Sequence, residues 1–553
     1  MGLSESTPEP AGESTPAKAA KPKAKTIVNA EKLSEKKGAI AVSGRYVSTR
    51  PLSADYDLED NVLGSGMSGP VHLAKGKEDG RMYAVKSFRK KGLGSRKLKE
   101  LQNEVEVYLL LDHPKVARLE MVFETADELN IVMEFMAGGE LYGRLSEAKR
   151  YTEQVAADTT YQMLLAVAYM HANGLAHRDL KLENFLYSSK DSDNLKLIDF
   201  GFAKFWDRGK KMEQACGSLH YVAPEVLAKS YTDQADLWSL GVVVYMLLTG
   251  SPPFHGSDDE VLRKVKAGQP HWSSRFKTLS SNAHDFVRKL IVADPDERLT
   301  AEKALAHPFV AERADALDNE IDPNTLGSLR SFQRSAHFKR AIYTMMAWSL
   351  TTEDRLQLQE QFLAIDADRK GTITHHQMKT VLMENFSVAC EEAELLFESL
   401  DIDHDECIAY SEFLAAVAAD RLRLHGDVLR KTFCRFDKDQ SGVISKEDLN
   451  EVLGDGFEGE DVRQLIAEAD ADHDGAVSYD EFLSYFQEGG EGGAAAESGH
   501  IHELGKVVDK LIPEHADSSS DLHSSSKTPT LVARDRKGDA DGAGAGEEAA
   551  PAS

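Results

Sequence analysis

The 553-residue chain carries 92 Asp and Glu side chains against 65 Lys and Arg, for a formal net charge of −27. So acidic a chain lacks the basic surface that displaces phosphate counterions, which disfavours nucleic acid as a partner. The longest apolar stretch, residues 237–248, is too short to span a membrane, and the four cysteines form no CxxC pair. These features predict a multidomain protein of the reducing cytoplasm.

Residues 1–50 are rich in Ser, Thr, Pro, Ala and Lys and hold few large apolar side chains, which predicts disorder. The first six residues, MGLSES, fit the pattern for attachment of myristate to Gly2. One acyl chain binds membranes only marginally, and no cysteine lies nearby to carry a second. Weak membrane association through N-myristoylation is therefore the most that this segment predicts.

Residues 56–71 have the pattern of a strand, a glycine-rich turn and a second strand. No amphipathic helix follows, as a dinucleotide-binding unit would require, so the pattern favours a hairpin that covers phosphates. Glycines let backbone amides approach the phosphates closely. The residues predicted to bind nucleotide here are Gly64, Ser65, Gly66, Gly69 and Val71.

Lys86 ends an alternating strand, residues 83–86, at a spacing from the glycine turn that would let it contact nucleotide phosphates. A lone lysine on a strand is usually exposed to solvent, so this prediction depends on the surrounding motifs.

Residues 177–184, HRDLKLEN, place a carboxylate, an ammonium group and an amide in one loop. Asp179 can accept the proton of an attacking hydroxyl, Lys181 can neutralise the moving phosphoryl group, and Asn184 can ligate Mg²⁺. An apolar run then leads into Asp199-Phe200-Gly201, whose carboxylate could hold the metal that bridges nucleotide phosphates. The loops together predict phosphoryl transfer from a nucleotide.

These motifs resemble those of the protein kinases and follow the family's order over residues 56–309. The resemblance implies a bilobal α+β fold, with Lys86 as a catalytic residue beside Asp179, Lys181 and Asn184. It implies that Glu104 pairs with Lys86, with Glu106 as the alternative. It also places Glu134, Met136 and Glu140 along the nucleotide pocket.

Glu140 and Glu183 resemble the carboxylates with which basophilic kinases hold an arginine of the substrate. Carboxylates bind arginine through paired, charge-assisted hydrogen bonds. We therefore expect protein substrates with basic residues before the phosphorylated Ser or Thr.

The segment after Gly201 contains no Ser, Thr or Tyr before Ser218. Glu213 is the nearest fixed negative charge for Arg178, so activity without phosphorylation of this segment is predicted. By the same resemblance, Ser218 hydrogen-bonds Asp179.

After residue 350 a helical pattern, a carboxylate-rich loop and a second helical pattern recur every 33 to 36 residues. The fourth loop matches D-x-[DN]-x-[DN]-G-x5-E throughout, which predicts an EF-hand Ca²⁺ site in an all-α domain over residues 351–486. Its predicted ligands are Asp470, Asp472, Asp474, Ala476 through its carbonyl, and Glu481.

The other three loops depart from this pattern. The second has Glu406 in place of glycine, and the third ends in Asp448 in place of glutamate. The second is expected to bind Ca²⁺ more weakly than the fourth, and the third is expected to bind a metal but to be shifted toward Mg²⁺, because Asp448 is too short to supply two oxygens readily. Their predicted ligands are Asp401, Asp403, Asp405, Cys407 and Glu412, and Asp437, Asp439, Ser441, Val443 and Asp448. The first loop has Lys370 and Gln377 at ligand positions, so it is predicted to stay empty and to support the second.

Residues 310–350 contain apolar side chains at helical spacing, with basic side chains on other faces. A basic amphipathic helix resembles a calmodulin target, whereas a connector packed on a domain surface is the alternative. The apolar set is Leu326, Leu329, Phe332, Phe338, Ile342, Met345 and Met346.

Kinase, junction and four EF hands together resemble the calcium-dependent protein kinases of plants, algae and protists. The resemblance implies a Ser/Thr kinase whose junction helix blocks the substrate cleft until the chain's own EF hands bind Ca²⁺ and take the helix. A pseudokinase scaffold and a kinase controlled by separate calmodulin are the alternatives. Residues 487–553 are predicted to be mostly disordered, with one short amphipathic helix over residues 501–512.

Overall fold

The computed structural model describes residues 26–48, 50–66, 69–207, 209–313, 321–418, 426–454 and 456–488. The chain divides into two units, residues 1–490 and 491–553, and every described residue lies in the first. None of the helices within these ranges combines the length and the apolar character needed to cross a membrane. Gly2 and the helix predicted over residues 501–512 lie outside the described residues.

Residues 26–48 are folded, although composition predicted disorder throughout residues 1–50. They form helices α1 (Ala30–Lys37) and α2 (Ala39–Ser43) and strand β1 (Tyr46–Val47). Val28 and Val42 are buried in the kinase core, and Ile40 is buried in the core of the C-terminal half. The prediction was wrong here because the few apolar side chains pack on surfaces that distant parts of the chain create.

A six-stranded sheet in the order β1-β5-β6-β4-β3-β2 forms the first lobe of the kinase. The pairs are antiparallel except for β1 with β5. Helix α3 packs on it through Leu101, Val105 and Tyr108, which recur at helical spacing. The new elements are β2 (Tyr56–Gly66), β3 (Gly69–Gly76), β4 (Met82–Arg89), α3 (Ser95–Leu110), β5 (Leu119–Glu124) and β6 (Glu128–Glu134).

The second lobe is mainly helical and surrounds α5 and α7. Helix α7 contains the apolar stretch 237–248 and is a buried core helix. Two small sheets, β7 with β10 and β8 with β9, hold the loops that carry the catalytic motifs. The elements are α4 (Leu141–Ala148), α5 (Glu153–Ala172), β7 (Leu175–Ala176), β8 (Phe185–Tyr187), β9 (Leu195–Leu197), β10 (Lys204–Phe205), α6 (Pro224–Leu227), α7 (Gln234–Thr249), α8 (Asp258–Lys266), α9 (Ser281–Leu290), α10 (Ala301–Leu305) and α11 (Pro308–Ala311).

The C-terminal half consists of two junction helices followed by four EF hands. Strand β11 pairs with β12 and β13 with β16, so the first loop pairs with the second and the third with the fourth. The elements are α12 (Thr325–Gln333), α13 (His337–Ala347), α14 (Thr352–Ile365), β11 (Ile373–Thr374), α15 (His375–Phe386), α16 (Cys390–Leu400), β12 (Cys407–Ile408), α17 (Tyr410–Ala418), α18 (Gly426–Phe436), β13 (Val443–Ile444), α19 (Lys446–Leu453), β14 (Gly456–Phe457), β15 (Glu460–Asp461), α20 (Val462–Ala469), β16 (Val477–Ser478) and α21 (Tyr479–Glu488).

Junction helix α13 is inserted between the EF hands. Phe338, Ile342 and Met345 are fully buried there, and the ring of Phe338 lies 5.7 Å from that of Tyr485. Its basic side chains also face the EF hands, because Lys339 donates to the carbonyl of Phe486 at 3.0 Å. The helix is therefore part of a core and not a connector on a surface.

The EF-hand half docks on strands β4 to β6 of the kinase. Arg435 pairs with Glu120 at 3.0 Å, with both side chains at most 5% exposed. Arg118 donates to the carbonyl of Ala347 at 2.6 Å, at the end of the junction helix. The guanidinium of Arg45 stacks 3.7 Å above the ring of Trp348. Residues 26–48 thus join both halves.

Candidate active site and calcium loops

Lys86 and Glu104 form the predicted buried ion pair. The Lys86 ammonium lies 2.5 Å from Glu104 Oε1 and 3.3 Å from Asp199 Oδ1. Burial alone would lower the pKa of Lys86, but the charges of Glu104 and Asp199 raise it above its usual value, so the ammonium stays charged. The alternative partner, Glu106, instead accepts a hydrogen bond from Gln102.

Asp199 follows β9 in a left-handed conformation, with φ 60°. Burial would raise the pKa of Asp199, but the charges of Lys86 and His177 outweigh it and hold the pKa below its usual value. The next residue, Phe200, is fully buried and packs against Tyr108 of α3 at a ring distance of 4.9 Å. Asp199 is therefore an anion held beside Lys86, as a metal-binding carboxylate requires.

The catalytic loop between β7 and β8 gathers the predicted groups around Asp179. Its Oδ2 lies 2.6 Å from the Lys181 ammonium, and its Oδ1 accepts a hydrogen bond from Ser218 Oγ at 2.9 Å. Asn184 Nδ2 donates to the carbonyl of Asp179 at 2.8 Å. That bond uses the amide nitrogen of Asn184 and leaves the amide oxygen as the group that suits Mg²⁺.

Buried charged side chains fix the start of this loop and, separately, the segment around Glu225. Asp236 is 1% exposed and accepts the backbone N–H groups of His177 and Arg178, each at 2.8 Å. Arg298 pairs with Glu225 at 2.7 Å.

Arg178 has a partner that the sequence reasoning missed. It donates to the carbonyl of Phe202 at 2.6 Å and to the Tyr231 hydroxyl at 3.2 Å, and that hydroxyl donates to the carbonyl of Gln214 at 2.7 Å. Among the described residues no ion pair joins Arg178 to the exposed Glu213, so that expectation was wrong. The contact could not be read from sequence because Tyr231 lies 53 residues from Arg178.

The residues predicted to line the nucleotide pocket lie in the β2–β3 hairpin and in the segment after β6. The β2–β3 hairpin places Gly64 opposite Val71, Ser65 opposite Pro70 and Gly66 opposite Gly69, as a phosphate-covering turn requires. Met136 is buried in the segment that connects β6 of the first lobe to α4 of the second.

The carboxylate of Glu134, a residue placed along the nucleotide pocket by resemblance, is bonded to two cations. The side chain is 4% exposed and lies 2.7 Å from Lys196 and 2.9 Å from Arg355. Its oxygens are thus bonded to two cations, one of which belongs to the EF-hand half. Only the backbone of Glu134 remains for a nucleotide.

Glu140 and Glu183 form an acidic pair near the catalytic loop. Partial burial and the negative charge of Glu183 raise the pKa of Glu140. Glu183 Oε2 is buried, and no described group hydrogen-bonds it. Two carboxylates in this state favour the approach of a cation.

Three loops bring carboxylates together as a metal site requires. The ligand oxygens of each group lie within 4.8 Å of one another. The groups are Asp401, Asp403 and Glu412; Asp437, Asp439 and Asp448; and Asp470, Asp472 and Glu481. They fall in the second, third and fourth predicted loops, which also hold the remaining proposed ligands Asp405, Cys407, Ser441, Val443, Asp474 and Ala476.

The second loop keeps the EF-hand shape despite Glu406. This residue has φ 66°, close to Gly442 at 88° and Gly475 at 91°, and its N–H donates to Asp401 at 3.1 Å. A left-handed conformation costs a non-glycine residue about 1–2 kcal/mol.

The first loop is filled by its own side chains. Lys370 and Gln377 bind Asp368 at 2.7 and 3.0 Å, respectively. Within the described ranges no carboxylate cluster occurs at this loop. Its pairing with the second loop through β11 and β12 agrees with the predicted supporting role.

Fold and site together define a protein kinase joined to two EF-hand pairs. The family model described as protein kinase domain matches residues 58–310, and that of the EF-hand domain pair matches residues 355–418 and 427–487. ATP with Mg²⁺ and Ca²⁺ are the cofactors that these domains use.

Relatives cover most of the chain. Calcium-dependent protein kinase 34 of Arabidopsis thaliana is 35% identical over 435 residues, which are 77% of this chain and 83% of the relative. Calcium-dependent protein kinase 11 of Oryza sativa subsp. japonica is 35% identical over 481 residues, 86% and 82% of the two chains. The chain belongs to the calcium-dependent protein kinase family and is a serine/threonine protein kinase.

Proposed function

We propose that this kinase phosphorylates Ser or Thr in proteins that carry basic residues before the target, and that Ca²⁺ bound to its own EF hands switches it on. The observation that carries this proposal is the presence, in one compact unit, of a complete phosphoryl-transfer constellation and three carboxylate clusters. The related proteins are named for calcium dependence, which agrees with it.

Asp179 is the group that takes the proton of the substrate hydroxyl. Its second oxygen is engaged by Ser218, which fixes the carboxylate plane, and Lys181 beside it neutralises charge on the transferred group. Lys86, held by Glu104, orients the nucleotide phosphates under the β2–β3 hairpin. Asp199 and Asn184 would hold Mg²⁺, which supplies charge neutralisation between the phosphates when bound. No observation favours a pseudokinase scaffold.

The preference for basic residues follows from Glu140 and Glu183. Glu183 offers a buried oxygen that no described group hydrogen-bonds, and Glu140 adds a second charge nearby. An arginine of the substrate can satisfy both through its five N–H donors. Glu183→Gln should raise KM for an arginine-containing peptide about ten-fold and leave KM for an alanine-substituted peptide unchanged. An equal effect on both peptides would contradict the assignment.

Regulation is proposed to run through α13. Its apolar face is enclosed by the chain's own EF hands, so separate calmodulin has no free target there. Without Ca²⁺ the EF-hand grooves close, and α13 with its basic side chains is free to cover Glu140 and Glu183. Deleting residues from 326 onward should then give activity that no longer needs Ca²⁺, and an inactive product would contradict an inhibitory junction.

The whole proposal is tested by titrating free Ca²⁺ from about 10⁻⁸ to 10⁻⁴ M, the range of sensor sites, while measuring phosphate transfer from Mg-ATP to an arginine-containing serine peptide. A rise of at least about ten-fold is expected. Equal activity in chelator and in Ca²⁺ would refute autoregulation, and no transfer at any Ca²⁺ would refute the kinase assignment.

We further propose a cytoplasmic protein with weak membrane association through myristate on Gly2. The MGLSES start supports this proposal. The acylated protein should sediment partly with anionic vesicles, and Gly2→Ala should abolish that fraction. No difference between the two proteins would contradict it.

A further inference from the structure

The helix that carries a calcium ligand of the second EF hand begins against the kinase. Helix α17 starts at Tyr410, immediately after the second loop, and the backbone N–H of Ser411 donates to Oδ2 of Asp112 at 2.8 Å. N–H groups in the first turn of a helix have no partner within the helix. The positive end of the helix dipole also stabilises a carboxylate placed there. Asp112, which follows α3 of the kinase, therefore caps a helix of the other half.

Asp112 is itself held in place. Its backbone N–H donates to the Tyr169 hydroxyl at 2.9 Å, and the Tyr169 ring stacks on that of His113 at 4.8 Å. Gly371 of the first loop lies against both rings, since a Cβ there would be 2.5 Å from Tyr169 and 2.6 Å from His113. The first loop thus seats the paired loops on this part of the kinase, although no carboxylate cluster occurs in it within the described ranges.

The ligand next to the capped residue is Glu412. Its two carboxylate oxygens accept the N–H groups of Ile402 at 2.9 Å and Ala409 at 2.7 Å, which keeps the side chain folded over the loop. Asp112, Asp403, Ser411 and Glu412 line one cavity of about 170 Å³. The direction of Glu412 depends on where α17 begins, and a bidentate ligand tolerates little misplacement.

We propose that Asp112 is a positioning residue for Ca²⁺ at the second EF hand, so that the kinase domain completes this site. The inference rests on the proposed function, because it requires the second hand to bind Ca²⁺. Glu406 gives the second loop a backbone cost that the third and fourth loops avoid with glycine. The third hand takes its cap from its own Ser445. The second hand is therefore the one that gains most from an external support.

The coupling works in both directions. If docking on Asp112 orients Glu412 and tightens Ca²⁺ at the second site, then Ca²⁺ at that site must strengthen docking by the same factor. The Ca²⁺ occupancy of the second site would therefore depend directly on whether the EF-hand half is docked on the kinase.

The test is Ca²⁺ titration of the full chain by isothermal calorimetry, with the activity profile measured in parallel. Asp112→Ala should weaken one of the three binding steps about ten-fold, the size that loss of one charge-assisted hydrogen bond gives, and should leave the rate at saturating Ca²⁺ unchanged. Asp112→Asn keeps an acceptor oxygen and should recover part of the loss. Ser411→Ala removes only the side chain, not the N–H, and is the matched control without effect.

A Glu412→Gln background separates positioning from general loss of docking. Asp112→Ala should change nothing further there, because the second site is already lost. A further ten-fold loss of Ca²⁺ affinity in that background would overturn the inference. Equal losses of Ca²⁺ affinity in Asp112→Asn and Asp112→Ala would also overturn it. So would unchanged binding in Asp112→Ala, although the proposed function would then still stand. Wild-type protein with no binding step assignable to the second loop would also overturn the inference, whereas no Ca²⁺ binding at any of the three loops would refute the proposed function.

Discussion

Replacing Arg355 with methionine should weaken the docked arrangement without harming the chemistry. Arg355 in α14 bonds Glu134 at 2.9 Å, and its side chain is 7% exposed. Glu134 keeps Lys196 at 2.7 Å after the change, so the kinase lobe retains a paired carboxylate. A hydrogen bond between charged groups contributes about 1.5–3 kcal/mol, which corresponds to about 10- to 150-fold in the docking equilibrium.

Since Ca²⁺ binding and docking are linked, that loss should appear as a higher Ca²⁺ requirement. Spread over three sites, it should raise the half-maximal Ca²⁺ of peptide phosphorylation by about 2- to 5-fold, with kcat at saturating Ca²⁺ unchanged. Arg463→Met, at an exposed position of α20, is the matched control and should leave the half-maximal Ca²⁺ unchanged. Identical Ca²⁺ curves for the two variants would show that the Arg355 contact does not contribute to activation.

Four further outcomes follow from the geometry. Lys86→Met should abolish phosphate transfer. It should also lower the free energy of unfolding, measured by urea denaturation, by about 3–5 kcal/mol, because Glu104 stays buried without its cation. Glu106→Ala is the control and should have neither effect. Asp179→Asn should reduce kcat by about 10²–10⁴ while fluorescent ATP-analogue binding is unchanged; weaker nucleotide binding would argue against its role as base. Glu481→Gln should remove one Ca²⁺ binding step in calorimetry, whereas Gln377→Ala should remove none. Loss of a binding step in Gln377→Ala would mean that the first loop binds Ca²⁺. Tyr231→Phe should lower kcat about ten-fold with KM for ATP retained, because Arg178 loses its link to the segment at Gln214; unchanged kcat would show that the link is dispensable.

Sequence predicted the parts of this molecule whose chemistry demands fixed spacing. Asp179, Lys181 and Asn184 act within one loop, and each calcium loop gathers its ligands within twelve residues, so local pattern alone specifies them. The family resemblance added Glu104, which no local rule separates from Glu106.

What sequence could not provide is pairing between distant residues. The partners of the Glu134 carboxylate, Lys196 and Arg355, lie 62 and 221 residues away, and no sequence pattern indicated them. Tyr231 is an unremarkable tyrosine until the fold places it beside Arg178. Residues 26–48 have too few apolar side chains to fold alone, and composition cannot reveal that α3 and α13 offer them a surface.

The two-residue strand β1 has a consequence for fragments of this protein. It pairs with β5 and is therefore the edge strand on that side of the first-lobe sheet. A kinase fragment cut at the family boundary near residue 58 would turn Leu119–Glu124 into an unpaired edge strand. Such edges recruit strands from other chains, and this one is buried on both faces in the intact protein. Kinase fragments that begin before residue 46 keep β1 and should stay monomeric, whereas fragments that begin near residue 58 lack β1 and should aggregate.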